Sequence, residues 1–442
     1  MKFGGTSVSD ARTIRQVVQI VRRQVDRRPV VVVSAHAGVT DALLATAQRA
    51  ASGDADTSAI AARHREILRD LGLATDLLDP LLAELQDLAR GLRLVGQTSP
   101  RALDLIASFG ERCCARTVAA ALRQGGVPAV AVDAFTAGLR TDSAFGRARP
   151  LPDDGRIAAF LAEVEGVPVV TGFIAADAQG NITTLGRNGS DYSAALFAVA
   201  VGAAEIQIWK DVDGIRTADP RLVPRALPIR SVSFEVVCEL AALGSKVLHP
   251  AAMLPAMQSG IPLRVLNTQD SEAEGTIVEA TARAGRPAVR AISHRAAMVL
   301  VTVTSQRLVP SHAFLARVFA ALSELRCDVG PVAVSEAAVS FALDRGSKAT
   351  ALARLAAIRD EYWGDLHCEE DRAVVGVVGD PQAMETGAAA SALATLAEAG
   401  IPLRCAGQGA HDGTIAFVVA SADLARTVAL LHERFFPSRP AS

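Results

Sequence analysis

Aromatic side chains are scarce in this chain: 4% of its residues are Phe, Trp or Tyr, and Trp and Tyr occur only twice each. That removes the interleaved stacking platforms on which proteins hold single-stranded nucleic acid. An excess of one charge is missing too. The 45 Lys and Arg stand against 47 Asp and Glu, a formal net charge of -2, so no long-range field favours nucleic acid or an acidic membrane surface. No apolar run reaches the roughly 18 residues that a membrane-spanning helix needs. The first residues lack the basic-then-apolar pattern of a secretory leader. Six cysteines (113, 114, 238, 327, 368 and 405) make no Cys-x-x-Cys pair, and the eight histidines make no His-Glu-x-x-His. Reduced thiols, a cytoplasmic location and no protein-built metal site are therefore expected.

What is abundant is apolar sequence arranged in alternation. Half of the 442 residues are hydrophobic, enough for several cores, and the length suggests roughly two to four domains. Ile14, Val17, Val18, Val21 and Val25 recur at helical spacing. Val30–Val33, Val127–Val132, Val167–Ile174, Ala204–Trp209 and Pro262–Leu266 are continuous apolar runs, as strands buried on both faces should be. Strand and helix alternate through residues 1–280, which predicts a three-layer α/β/α sandwich on a mostly parallel sheet. Ligands should then sit beyond the carboxyl ends of the strands. Residues 50–100 are polar, Ala/Leu-rich and punctuated by Pro80 and Pro100, a helical insertion.

Past a linker at 281–287 lies a weak internal repeat. Strand Val299–Thr304, helix Phe314–Leu325 and strand pattern Val332–Leu343 are echoed by Val374–Gly379, Ala388–Ala399 and Ile415–Val419. Leu322, Glu324 and Val329 match Leu396, Glu398 and Leu403 in spacing. Two ferredoxin-like βαββαβ units of about 70 residues fit this pattern. They are placed at 288–368 and 369–442.

Chemistry concentrates in five segments. The first is Lys2-Phe3-Gly4-Gly5-Thr6-Ser7-Val8. Gly4 and Gly5 let backbone N–H groups approach a ligand, the following helix start adds its positive end, and Lys2 adds a full charge. This is a phosphate cradle with its lysine ahead of the glycines, unlike the P-loop spacing. A Gly-Gly by itself is more often a simple turn. The second segment, Val31 to Asp41, places the hydroxyls of Ser34 and Thr40 at a strand's carboxyl end, where they could equally be helix caps. The third is Phe109-Gly110-Glu111-Arg112, whose glutamate alone would signify only helix-dipole chemistry. The fourth is Thr183-Thr184-Leu185-Gly186-Arg187-Asn188-Gly189-Ser190-Asp191, in which Arg187 can grip a carboxylate with two parallel N–H bonds. The fifth part is a pair of stretches, Lys210-Asp211 through Arg216 to Arg221, and Gly244-Ser245-Lys246-Val247-Leu248-His249-Pro250.

In this order and together, these segments resemble the motifs of aspartate kinases, monofunctional members of the amino-acid-kinase superfamily, with the C-terminal repeat resembling tandem ACT domains. The resemblance implies ATP-dependent phosphorylation of the β-carboxylate of L-aspartate, on the route to lysine, threonine and methionine, with Mg²⁺ carried by the nucleotide. It implies that Lys2, Asp191 and Lys246 are catalytic. Lys2, Gly4, Gly5, Ser7, Lys210, Asp211, Arg216, Arg221 and Lys246 would meet ATP. Ser34, Thr40, Glu111, Arg187, Ser190 and Asp191 would meet the substrate, with Glu111 on its ammonium and Arg187 on a carboxylate. It further implies a homodimer or higher homo-oligomer and an amino-acid effector at the ACT units.

Several positions depart from the family pattern. Asn188 replaces a glycine, Arg216 a tyrosine, Cys114 a small hydroxyl residue, and His36 stands where a methionine or small residue is common. Gly330 and Val334 stand where lysine-inhibited members have an aspartate and a threonine, so weak or absent lysine inhibition is expected. Two other functions fit parts of the sequence. One is a kinase of another amino acid, such as glutamate or acetylglutamate, which the ACT tandem and Phe109–Arg112 disfavour. The other is a catalytically weak amino-acid sensor, against which Lys2, Arg187, Asp191 and Lys246 together argue.

Overall fold

The computed structural model describes residues 1–245, 247–280, 288–305, 311–325, 327–361, 364–380, 387–408 and 413–437. The chain divides into two compact units, one of Met1–Ile215 with His249–Ala282 and the other of Arg216–Leu248 with Arg283–Ser442. Among the described residues, no helix is long and apolar enough to cross a membrane.

The first unit opens with a two-residue strand, β1 (Lys2–Phe3), and a short 3-10 turn (Gly5–Val8). Helix α1 (Ala11–Arg23) follows. Asp10 caps it in a reciprocal box with Thr13, and its apolar stripe of Ile14, Val17, Val18 and Val21 is buried. Then come β2 (Val31–Val33), α2 (Val39–Ala51), α3 (Ser58–Leu71), α4 (Asp79–Val95) and α5 (Pro100–Gln124). Pro80 and Pro100 sit in the first turns of α4 and α5, where a missing N–H leaves no bond unmade. The expected helical insertion is thus α3, α4 and the entry to α5. The chain continues through β3 (Ala129–Val132), α6 (Arg156–Ala162), β4 (Val167–Thr171), β5 (Ile174–Ala176), β6 (Ile182–Thr184), α7 (Gly189–Ala200) and β7 (Ile206–Lys210).

Residues 216–248, expected in the catalytic domain, group with the second unit. They carry β8 (Ser231–Ser233) and α8 (Phe234–Ala242). The physical reason is apolar: Ala218, Val223 and Ala226 are buried in one cluster with Val289, Ile292 and Leu431. The first unit resumes with α9 (Pro250–Gln258), β9 (Leu263–Asn267) and β10 (Thr276–Glu279). Its main sheet runs in the order β3-β4-β2-β1-β7-β9-β10, parallel except for β10. Short β1 lies near the middle of this sheet, hydrogen-bonded on both sides, with Lys2 level with Val32 and Ile208.

One expected strand is interrupted. The run Val167–Ile174 breaks after Thr171, and β5 pairs instead with β6 in a separate hairpin. Gly172 packs so tightly on α7 that a Cβ there would lie 2.7 Å from Ser190 Cβ, and Phe173 adopts a left-handed φ of 65°. Hydrophobicity alone does not register such a turn.

In the second unit follow β11 (Val289–Thr304), α10 (Ser311–Glu324), β12 (Val329–Val334), β13 (Ala338–Asp344), α11 (Lys348–Glu361), β14 (Leu366–Gly379), α12 (Ala388–Glu398), β15 (Cys405–Gln408), β16 (Thr414–Ala420) and α13 (Leu424–Phe435). The six strands form one antiparallel sheet, β12-β13-β11-β14-β16-β15. The repeat is present, and its buried leucines, Leu322 and Leu396, occupy matching helix positions. Its halves are interleaved rather than consecutive. Met298–Thr304 pairs with β13, whereas residues 289–295 pair only with the second half of β14. The second βαββαβ unit therefore takes its fourth strand from upstream of the first, and the expected boundary at 368/369 falls inside β14. Both shared strands bend at one left-handed residue, Ala297 (φ 56°) in β11 and Asp371 (φ 52°) in β14.

Candidate functional site

At the carboxyl edge of the first unit's sheet, three buried or nearly buried charges meet. Lys2 Nζ is 2.5 Å from Asp191 Oδ1, and Lys210 Nζ is 3.4 Å from Asp191 Oδ2. Lys2 opens the two-residue β1, Lys210 ends β7, and the two strands pair in parallel. Asp191 stands in the first turn of α7, a favourable place for a carboxylate. Burial works to raise the Asp191 carboxyl, but the ammonium groups of Lys2 and Lys210 outweigh it and hold the pKa below the usual range. Burial, opposed by Asp191 and reinforced by the Lys2 charge, lowers the Lys210 ammonium. Two cations on one anion leave a net positive site, which suits a polyanionic ligand. The sequence assigned Lys210 to nucleotide alone. Its share in this charge cluster is new, and its place at the end of a buried strand beside β1 was the available signal.

The glycines border this cluster. A Cβ on Gly4 would lie 3.6 Å from Lys2 Nζ, and one on Gly5 would press to 3.0 Å from the Ala35 carbonyl. Gly4 therefore keeps the space beside the ammonium open, and Gly5 lets the turn seat on the next loop. The segment after them is the 3-10 turn, and α1 starts only at Ala11, so backbone amides of a turn replace the expected helix N-terminus. Ser7 is inward. Its hydroxyl bonds the Trp209 carbonyl and Thr268 Oγ1, and its N–H donates to the Gly4 carbonyl. It fastens the turn to the ends of β7 and β9.

The expected substrate residues include a second buried carboxylate. Glu111, in the middle of α5, is 3% exposed. Its Oε1 accepts from the Ala35 N–H at 3.1 Å, next to Ser34, while Oε2 has no partner among the described residues. Burial pushes its carboxyl up to about 8, against the pull of the Ala35 amide and the Lys2 charge. Ser34 and Thr40 flank the loop from β2 to α2 and are partly exposed. Ser190 is buried in the first turn of α7. Arg187 is exposed and makes no ion pair or side-chain hydrogen bond among the described residues, so its guanidinium is available. Asn188 holds the left-handed φ of 58° that the family's glycine would adopt freely. Asparagine tolerates that conformation, so the loop survives the replacement.

Other expected residues are placed elsewhere. Arg216 and Arg221 belong to the second unit, where Arg216 donates to the Ala226 carbonyl and Arg221 forks onto Asp219. Asp211 is exposed. Lys246 lies outside the described residues.

Sequence reasoning gave His36 no part, yet the structure uses it. Its Nδ1 bonds the Val8 carbonyl at 2.5 Å, tying the glycine turn to the loop after β2. Its ring lies 5.2 Å from that of His64 on α3. Burial drives both imidazoles down, to about 4 and about 3, so they are neutral at ordinary pH.

Comparison with known proteins supplies the context. Residues 1–267 match the amino acid kinase family, and residues 375–435 match an ACT domain. Lysine-sensitive aspartokinase 3 of Escherichia coli (strain K12) is 34% identical over 451 residues, covering 98% of each chain. Aspartokinase 1, chloroplastic, of Arabidopsis thaliana is 32% identical over 463 residues, covering 99% of this chain and 80% of that one. The crystal structure of E. coli aspartokinase III in complex with aspartate and ADP (R-state) superposes with a TM-score of 0.81 at 33% identity, covering 98% of this chain and 99% of that one.

Proposed function

This chain belongs to the amino acid kinase family, as one of its aspartokinases with C-terminal ACT domains, and from that premise we propose how its residues do the chemistry. The reaction moves the γ-phosphoryl of ATP to the β-carboxylate of L-aspartate, giving 4-phospho-L-aspartate at the head of the aspartate-derived amino-acid pathway. The attacking oxygen is already anionic, so no general base is required. The obstacle is charge, an anion approaching a polyanion, and catalysis rests on positioning and electrostatic stabilisation.

The observation that carries this reading is the Lys2–Asp191–Lys210 cluster beside the open face of Gly4. Asp191 holds the two ammonium groups together in the absence of ligand. With ATP bound, Lys2 and the Gly4 and Gly5 amides meet phosphate oxygens, and Lys210 with Asp211 meets the rest of the nucleotide. Lys246 is the second ammonium on the transferring group, by its motif. Glu111 receives the substrate's ammonium and Arg187 its α-carboxylate, with Ser34, Thr40 and Ser190 completing the polar contacts. Mg²⁺ carried in by the nucleotide would neutralise phosphate charge. The donor set fits that arrangement, because Asp191 is already engaged by two cations. The ACT units bind an amino-acid effector and join copies into a homodimer or larger assembly.

The test is ADP release with a panel of amino acids, with hydroxylamine trapping of the acyl phosphate. Aspartate alone should give both ADP and hydroxamate. Hydroxamate from glutamate or acetylglutamate instead, or effector binding without any ADP release, would replace this reading with a kinase of another acid or with a sensor.

A further inference from the structure

Arg187 reaches its place through a short hairpin and loop, and a single buried carboxylate holds that loop from two sides. Asp104, on α5, is 3% exposed. Its Oδ2 accepts from the Thr184 N–H and from the Gly146 N–H, each at 2.8 Å, and its Oδ1 accepts from the Thr184 hydroxyl at 2.8 Å. Thr184 ends β6, three residues before Arg187. Its carbonyl takes the Ala148 N–H at 2.8 Å, so the 146–148 loop and β6 are bonded to each other as well as to Asp104. Gly186 turns with φ 76° against the Gly146 carbonyl, which a Cβ would approach to 3.3 Å. Gly146, whose N–H Asp104 grips, therefore also presents the carbonyl on which the Arg187 loop rests.

We propose that Asp104 is a positioning residue for substrate recognition: by clamping Thr184 and the Gly146 peptide to α5, it sets where the Arg187 guanidinium stands. The inference rests on the reading that Arg187 binds the aspartate carboxylate. Three donors converge on one carboxylate whose ionised form they favour, while burial alone drives its pKa upward. A clamp of this kind has a signature that a general stabiliser lacks. Misplacing a bidentate donor by a fraction of an ångström weakens the ligand it grips and leaves the nucleotide's contacts at Lys2 and Gly4 unchanged. Asparagine can satisfy the same three partners, with its oxygen accepting both N–H groups and its NH₂ donating to the Thr184 oxygen. Alanine satisfies none.

The experiment measures kcat and the KM for aspartate and for ATP, together with the melting temperature, in Asp104→Ala, Asp104→Asn, Thr184→Val and Arg187→Ala. Asp104→Ala should raise the aspartate KM about tenfold and hold the ATP KM within about twofold, and Asp104→Asn should restore near wild-type values. Should the alanine variant fail to fold, Thr184→Val, which removes one donor of the three, should still raise the aspartate KM about threefold. Parallel changes in both KM values, or an aspartate KM within about twofold of wild type in folded Asp104→Ala, overturns the clamp while leaving Arg187 in its role. An aspartate KM unmoved in Arg187→Ala overturns the role of Arg187, and the clamp with it.

Discussion

Two buried carboxylates stand near the same edge of the first unit's sheet and meet opposite fates. Asp191 has two ammonium groups within ion-pair range and stays ionised, its pKa held down. Glu111 has one backbone amide on one oxygen, no partner for the other among the described residues, and a pKa pushed up to about 8. The first is complete without a ligand, and its work is to keep two cations close enough to receive phosphate. The second is incomplete, and an arriving ammonium would supply what the protein withholds. On the proposed assignment, the nucleotide and amino-acid sides of one site are thus prepared differently: one charged in advance, the other to be charged by the substrate.

Breaking the charged side should have the largest effect. Lys2→Ala removes a cation from both the cluster and the transferring phosphoryl, and turnover should fall by about three orders of magnitude or more. It also leaves Asp191 buried with only the more distant Lys210, and losing a partner of a buried pair costs about 3–5 kcal/mol when nothing replaces it. Lys210 softens that loss, so the variant should fold. ADP release and a urea titration on the same protein measure the two effects. Near wild-type turnover would remove Lys2 from the chemistry.

The neutral side makes a prediction about protons. At pH 7, Glu111 is mostly protonated in the free protein, and pairing with the substrate's ammonium should ionise it. Aspartate binding should then release close to one proton, read by calorimetry in buffers of different ionisation enthalpy; Glu111→Gln should abolish the release and weaken aspartate binding. Stability follows the same group. Its folded pKa is raised, so its contribution is fully present below about 4.5 and is lost as pH rises through about 8. Wild type should lose several kcal/mol across that window relative to Glu111→Gln. Equal slopes in the two proteins would show that the carboxyl is not protonated.

A smaller effect of opposite sign belongs to His36 and His64. Their folded values are depressed to about 4 and about 3, so they stabilise the fold above the ordinary histidine range and lose that contribution as pH falls through those values. His64→Leu should blunt the acid limb of the stability profile and leave neutral-pH turnover within about twofold. An unchanged acid limb would mean that the ring is protonated without penalty.

The contrast between the two carboxylates was only half legible in the sequence. Motif spacing named Asp191, Glu111 and Lys2, because the residue types announce their chemistry. It could not say that Lys210 would join Asp191, since that depends on β7 lying beside β1, a pairing of residues about 200 apart. Nor could it separate an ionised carboxylate from a protonated one, because burial and the count of donors decide that. The same limit governs the fold. Continuous apolar runs gave the parallel strands nearly to the residue, yet the break at Gly172 and Phe173 is a matter of packing on Ser190. The repeat in the second unit was visible as spacing. Its interleaving was not, because which half of β11 pairs with which half of β14 is fixed by two left-handed residues, Ala297 and Asp371, that no propensity would nominate.

The smallest expected effect is an absence, and it extends the comparison to the second unit. A cationic effector needs what Glu111 offers the substrate, a carboxylate awaiting an ammonium. Where lysine-inhibited aspartokinases place one, this chain has Gly330 on β12. The backbone there has closed in: a Cβ on Gly330 would lie 3.1 Å from Ala342 Cβ and 3.4 Å from the Ala342 carbonyl. An aspartate there would need β12 and β13 to give by a few tenths of an ångström. Lysine at millimolar concentration should therefore change turnover by less than about twofold, since an unpaired ammonium gains little on leaving water. Threonine, which carries no side-chain cation, is the control titrated beside it. Tight inhibition by lysine would mean that another carboxylate receives it, and Gly330→Asp would then fail to strengthen the effect.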